Sequence, residues 1–148
     1  MSGLAVALDR DPLADLIPRL DGGLWLAPAQ RREGDPVSGL VAGQATLDLD
    51  RDGGLVGVTV LEEPVFWERG PITWELPGRA SPHRLRILEP PGAVAAAMRL
   101  DAARKLWVLE LEPATHPELL ALGPRSFAAM DGDTLVGLVA DLRGFGRI

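Results

Sequence analysis

Three carboxylates at alternate positions come nearer than any other residues of this sequence to a chemical site. Asp48, Asp50 and Asp52 are followed by Gly53, and a calcium loop begins with oxygen ligands at alternate positions and a glycine that permits a sharp turn. Such a loop also needs a carboxylate that binds the ion through both oxygens at its twelfth position, where this chain has Thr59. We therefore interpret the segment as an acidic hairpin turn that faces solvent, not as a metal site.

The two histidines do not strengthen the argument for catalysis or metal binding. His116 stands among three glutamates, but Thr115 and Glu118 have the spacing of a capping box that begins a helix. His83 has no adjacent carboxylate in the sequence. Two histidines without any cysteine do not supply a usual zinc site. The sequence thus predicts no metal ion, no cofactor and no catalytic residue, and it favours a role other than catalysis.

The composition limits the partners that this chain can bind. Its 148 residues include no cysteine and no tyrosine, and their net charge of −6 repels a phosphate backbone. Fourteen arginines and one lysine are spread along the chain, and the densest basic group, His83, Arg84 and Arg86, is typical of a solvated strand face. No apolar run approaches the roughly 20 residues of a membrane span, and the first residues lack the pattern of a signal peptide. We expect a cytoplasmic protein that binds neither nucleic acid nor membrane.

The chain matches itself at an offset of about eighty residues, which is the signature of an internal repeat. Three short segments recur: Arg19-Leu20-Asp21 as Arg99-Leu100-Asp101, Leu24-Trp25 as Leu106-Trp107, and Leu55-Val56-Gly57 as Leu135-Val136-Gly137. We predict one module over residues 4–68 and a second over 84–148. Residues 69–83 form the connection, in which glycines and prolines surround a strand-like stretch at 72–76.

Each module is predicted to end in a β-hairpin, because apolar residues alternate with polar ones on both sides of a turn. In the first module Leu47 and Leu49 face inward, a turn follows at 51–54, and Val56, Val58 and Val60 continue the alternation. In the second module Phe127 and Ala129 take the inward positions. Trp25 and Trp107 occupy matched strand positions, and we assign both to the core.

The first half of each module is harder to assign. Residues 93–106 favour a helix by propensity, but the matching residues 17–26 contain a proline and two glycines and predict strand, turn and strand. If the copies share a fold, residues 98–110 form a hairpin with its turn at 102–105. Single helical turns are predicted at 12–16, with Asp11 as N-cap, and at 92–96. A further helix is predicted at 115–124 in the second module alone.

Three aromatic residues lie around the connection, outside the repeated segments. Phe66, Trp67 and Trp74 flank a turn that contains Gly70 and Pro71. Large aromatic side chains in such a position either fasten the connection to the core or form an exposed patch for a partner. These three residues are therefore the candidates for partner binding.

Two of the hairpin segments resemble the YuzE family of small bacterial proteins. The family pattern is a strand, an acidic turn and a Leu-aromatic-apolar strand, then Leu-Asp-Leu-Asp-x-Asp-Gly-x-Leu/Ile-Val-Gly, which resembles residues 100–109 and 47–57 here. The tyrosines of the family are replaced by Leu100 and Trp107 or are absent. The resemblance implies a fold, here as a tandem duplication in a bacterial protein, but no reaction, because no settled activity comes with the family.

These patterns predict a single, mainly β domain with minor helix. Two repeats of an antiparallel hairpin module pack about a pseudo-two-fold axis as a sandwich or a partly closed barrel. We expect a protein-binding or assembly module that uses sheet edges or the aromatic connection, with a second copy in a homodimer as one such partner. The alternative is a small-molecule binder or enzyme with a pocket between the repeats, where Asp15, Asp21, Arg99 or Asp101 would have to converge.

Overall fold

Strands make up most of the regular structure, as the alternating patterns predicted. The computed structural model of the chain describes residues 3–28, 38–146 and 148. These residues form the following strands: β1 (Leu4–Arg10), β2 (Leu16–Leu20), β3 (Leu24–Pro28), β4 (Ser38–Ala42), β5 (Ala45–Leu49), β6 (Leu55–Val60), β7 (His83–Ile87), β8 (Ala93–Val94), β9 (Ala97–Asp101), β10 (Leu106–Glu110), β11 (Glu118–Ala121), β12 (Ser126–Asp131) and β13 (Thr134–Asp141). A single 3₁₀ turn, Pro64–Phe66, lies between β6 and β7.

Two sheets built on the same strand order face each other as a sandwich. The first sheet runs β2-β3-β6-β5-β4 with antiparallel neighbours, and β8 adds a short parallel strand beside β4. The second sheet runs β9-β10-β13-β12-β11, also antiparallel. The predicted hairpins at 17–26, 47–60, 98–110 and 127–140 are therefore confirmed. The duplication of an ancestral module stays a prediction.

Strands β1 and β7 pair with each other and connect the two sheets along one side. The Val6 N–H donates to the Asp133 carbonyl at 3.3 Å, just before β13, and the Ile87 N–H donates to the Gly53 carbonyl at 2.8 Å, just before β6. The N-terminal strand thus joins the second sheet, and β7 reaches the first. The sheets form a sandwich and do not close into a barrel.

The apolar residues form two cores. The central core lies between the sheets and includes Leu24, Leu26, Val58 and Val60 of the first sheet and Trp107, Leu109, Leu138 and Ala140 of the second. The outer core lies on the far face of the second sheet, where Ile72 and Trp74 of the connection cover Val108, Phe127 and Val139. The second sheet is therefore buried on both faces, which explains the continuous apolar runs of β10, β12 and β13.

Two predictions about which side chains face the central core are wrong. Phe127 and Ala129 belong to the outer core, and Ala128 and Met130 face the central core instead. Apolar residues on both faces of β12 remove the alternation that would identify the inner one. Trp25 is only partly buried, whereas the matched Trp107 is fully buried in the central core.

The predicted helix at 115–124 is wrong. Residues Glu118–Ala121 form β11, which pairs with β12 at the edge of the second sheet. Leu119 and Ala121 thereby enter the outer core, a burial with period two that a helix of this length would not provide. Local capping propensity is weak compared with sheet pairing and burial, so the tertiary environment decides the outcome.

The two predicted single helical turns are also wrong. The Asp11 carboxylate accepts the Leu13 N–H at 2.9 Å and its carbonyl accepts the Ala14 N–H at 3.0 Å, so this residue closes an isolated turn instead of capping a helix. Residues 93–94 form β8 beside β4. Residues 72–76 form no strand, although Ile72 and Trp74 are buried.

Candidate functional site

The three aromatic residues around the connection have different environments. Trp67 belongs to the central core and is 3% exposed, and its indole Nε1–H donates to the Glu62 carbonyl at 2.9 Å. Trp74 belongs to the outer core and is 5% exposed, and its Nε1–H donates to the Ala114 carbonyl at 2.9 Å. Phe66 is 69% exposed. Two of the candidates therefore fasten the connection, and one faces solvent.

Phe66 belongs to an exposed apolar segment, residues 61–66, which we call the apolar turn. Leu61 is 76% exposed and Val65 is 67% exposed, so three large apolar side chains within six residues face solvent. Single exposed apolar residues are ordinary, but a group of them marks an interaction surface more often. The turn also contains Glu62 and Glu63, so its apolar side chains lie beside negative charge.

The apolar turn is held in place at its C-terminal end. The Phe66 N–H donates to the Glu63 carbonyl at 3.0 Å, and the Trp67 N–H donates to the Pro64 carbonyl at 3.1 Å. The chain then runs along β9, where the Leu100 N–H donates to the Glu68 carbonyl at 2.8 Å. A surface ordered before binding loses less conformational entropy when a partner arrives.

Leu61 and Val65 are absent from the residues that the sequence predicts for the site. The signal that could have identified them is their position after Val60, where the alternation of β6 ends and two glutamates follow. Apolar residues that follow the end of a strand and stand beside charged ones continue no buried strand face, which favours exposure without requiring it.

The connection is anchored to the second sheet by a buried carboxylate. Asp101 accepts three backbone N–H groups, from Ile72 at 3.0 Å and from Ala103 and Arg104 at 3.1 Å each. These bonds, that of Ile72 first, lower the pKa of Asp101. The Arg104 guanidinium in turn donates to the Ile72 and Trp74 carbonyls. Asp101 therefore positions the segment that covers the outer core.

The three alternating carboxylates do not converge. Asp50 accepts the Asp52 and Gly54 N–H groups at 2.9 and 2.8 Å and pairs with Arg84, so it organises the turn. Asp48 lies within β5 and accepts the Thr59 hydroxyl at 3.0 Å. In the described part of the chain, no group of three or more His, Cys, Asp or Glu side chains could hold a metal ion.

Replacing Asp48 with asparagine is expected to raise the free energy of unfolding at pH 7. Burial raises the pKa of Asp48, and the hydrogen bond from Thr59 lowers it only in part. Because the folded state then binds the proton more tightly than the unfolded chain, the carboxylate reduces stability as the pH rises through its folded pKa. Asparagine removes the charge and keeps an oxygen for Thr59. Urea denaturation at pH 7 measures the gain.

The gain from Asp48→Asn should vanish near pH 3, where the aspartate is protonated in both states. Asp52→Asn is the matched control, because that side chain is exposed and its replacement should change stability little. A lower free energy of unfolding for Asp48→Asn at pH 7 would contradict the expectation.

Two of the four polar residues predicted to line a pocket between the modules, Arg99 and Asp101, have separate partners. Arg99 pairs with Glu110 at 3.6 Å across β9 and β10, and Asp101 holds the connection. Asp21 is exposed in the turn between β2 and β3, and His116 is exposed as well. The contacts of Arg99 and Asp101 with Glu110 and Ile72 do not bring these two side chains together as a catalytic pair.

Comparisons with known proteins give no information on the function of this chain. No protein-family model, no curated protein and no solved structure matches this chain. Within the residues that the structure describes, no helix is long and apolar enough to cross a lipid bilayer. The surface feature that points most directly to a function is therefore the apolar turn.

Proposed function

We propose that this protein is a non-catalytic binding module that docks another protein chain through the apolar turn. The observation that carries the proposal is the exposure of Leu61, Val65 and Phe66 on a hydrogen-bonded turn. A few residues supply most of the binding energy of a protein interface, and aromatic side chains such as that of Phe66 are enriched there. The partner would offer an apolar groove with a basic rim, because Glu62 and Glu63 flank these side chains.

The alternative of a small-molecule binder with a pocket between the modules has less support. The space between the sheets is filled by fully buried side chains, among them Leu24, Leu26 and Trp107. These side chains would have to move before a ligand could enter between the sheets. We also propose that the two sheets arose by duplication, which their common strand order supports. The relation to the YuzE family, the homodimer and the cytoplasmic location stay predictions.

Photo-crosslinking from the apolar turn tests the proposal. We would replace Phe66 with p-benzoylphenylalanine, which is also a large aromatic residue, and irradiate cells that naturally produce the protein. Val41 is the control position, because it is an exposed apolar residue on β4, outside the turn. We expect a discrete covalent adduct from position 66 and none from position 41. An adduct of twice the chain mass would identify the partner as a second copy.

Competition separates specific docking from random contact. Excess unmodified protein should suppress the adduct, whereas the Phe66→Glu variant should compete roughly thirtyfold less well, since a hot-spot residue contributes about 2 kcal/mol or more. Circular dichroism should show that Phe66→Glu stays folded, because the side chain is exposed. Equal adducts from positions 66 and 41, or equal competition by the variant, would refute the proposal.

A further inference from the structure

Basic side chains converge on an open depression at one end of the second sheet. Arg104 and Lys105, from the turn between β9 and β10, line it together with Arg143, which follows β13. Leu76 and Leu106 supply its apolar wall, and its volume is 230 Å³. Pockets that hold drug-sized ligands measure about 300–1,000 Å³, so this depression suits a smaller molecule.

Each of the three cations is held in position and, after its contacts with the described residues, keeps donors for a further contact. Arg104 uses its Nη1 for the Ile72 and Trp74 carbonyls, which leaves Nη2. Lys105 donates one Nζ–H to the Phe145 carbonyl at 3.2 Å and keeps two. Arg143 binds Asp141 through Nε and Nη2, the latter at 2.7 Å, which leaves Nη1. Cations that are already oriented lose little side-chain entropy when they bind an anion.

The local charge is positive although the whole chain is negative. Three cations line the depression, and Asp101 and Asp141 are the carboxylates that contact them among the described residues. Arg125 lies outside the lining and donates to the Arg143 carbonyl at 2.6 Å. On a chain with a net charge of −6, a local excess of one positive charge marks a place where anions concentrate.

Lys105 has an unusual backbone conformation for its residue type. Its φ is 53°, in the left-handed region that glycine or asparagine adopts with less strain. It is also the single lysine among fifteen basic residues. Strained backbone conformations cluster at functional sites, so a strained residue that presents a charged side chain to a concave surface indicates a ligand site.

We propose that this depression binds a small organic anion. Its carboxylate or phosphate group would contact Lys105, Arg143 and the remaining Nη2 of Arg104, and its apolar part would rest on the partly exposed Leu76. Lysine supplies a compact charge and arginine a planar set of donors, and both recognise these oxyanions. The site does not depend on the apolar turn, so either proposal can fail without the other.

Calorimetric titration with phenyl phosphate, benzoate and inorganic phosphate tests the site. We expect saturable binding of phenyl phosphate or benzoate that weakens as salt is added, because the contact is ionic. The variant Lys105→Gly should weaken this binding at least tenfold while it raises the melting temperature, since glycine relieves the left-handed backbone. Arg51→Gln, an exposed residue in another turn, is the control and should bind normally.

Acylation of the single lysine gives a second measurement. Acetylation of Lys105 by a limiting amount of an N-hydroxysuccinimide ester, read by peptide mass spectrometry, should slow at least threefold in saturating phenyl phosphate. The reaction at the terminal amine should not change and serves as an internal reference. The proposal is overturned if neither organic anion binds, or if Lys105→Gly binds as tightly as the wild type. If inorganic phosphate binds as tightly as phenyl phosphate, the ligand does not need an apolar part, and that feature of the proposal is wrong.

Discussion

Trp107→Ala is expected to lower the free energy of unfolding by about 3–5 kcal/mol, the usual cost of truncating a fully buried tryptophan. The side chain is 0% exposed and belongs to the central core, where atoms from both sheets surround it. Removal of the indole leaves a cavity that rigid strands on either side cannot fill. Urea denaturation monitored by circular dichroism measures the loss.

Trp25→Ala is the matched control for Trp107→Ala. Trp25 holds the corresponding place in β3 but is only partly buried, so we expect a clearly smaller loss of stability. Equal losses for the two variants would contradict the assignment of Trp107 to the space between the sheets.

Trp107→Phe separates the volume of the side chain from its polar atom. The buried Trp107 Nε1–H has no hydrogen-bond partner among the residues that the structure describes, and such a donor costs about 1–3 kcal/mol. Phenylalanine removes the unpaired donor and keeps an aromatic ring, so it should recover most of the stability that alanine loses. A loss as large as that of alanine would show that the indole shape itself is required.

Asp101→Ala is expected to cost about 2–4 kcal/mol, because three backbone N–H groups lose a charged acceptor. Ile72 is the group most affected, since its N–H is buried and its side chain belongs to the outer core. Release of the connection would expose Trp74, so the fluorescence emission should shift to longer wavelength before global unfolding. Asp131→Ala, at the exposed last residue of β12, should change neither stability nor fluorescence.

The contribution of Asp101 should also depend on pH in a defined direction. Its pKa is lowered in the folded state, first by the Ile72 N–H, so the folded protein binds this proton less tightly than the unfolded chain. The stabilisation is then present above the unfolded pKa of about 3.9 and is lost as the pH falls through the lower folded pKa. The difference in stability between wild type and Asp101→Ala should therefore shrink at acidic pH. A difference that grows on acidification would contradict this assignment.

Much of the fold could be predicted because its determinants are local. The hairpin of β5 and β6 follows from alternation at 47–60 and from Gly53, whose φ of 82° suits a residue without a side chain. Propensity alone favours a helix at residues 93–106, but comparison with residues 17–26 predicts a hairpin instead, which β9 and β10 confirm.

The candidate site was predicted less well, because exposure is a tertiary property. Phe66 and Trp67 are consecutive aromatic residues, yet one faces solvent and the other enters the central core. Their difference depends on the path of the connection along β9, which is held by the bonds of Glu68 and Ile72 to residues about thirty positions later. No local pattern contains that information.

The sequence alone determined where most strands and turns lie, because alternation and turn residues act between neighbours in the chain. Only the tertiary structure decided that residues 118–121 form an edge strand, that the second sheet is covered on both faces and that basic residues from separate turns meet at one depression. These outcomes depend on burial and hydrogen bonding between segments far apart in sequence, whose free energies exceed local preferences.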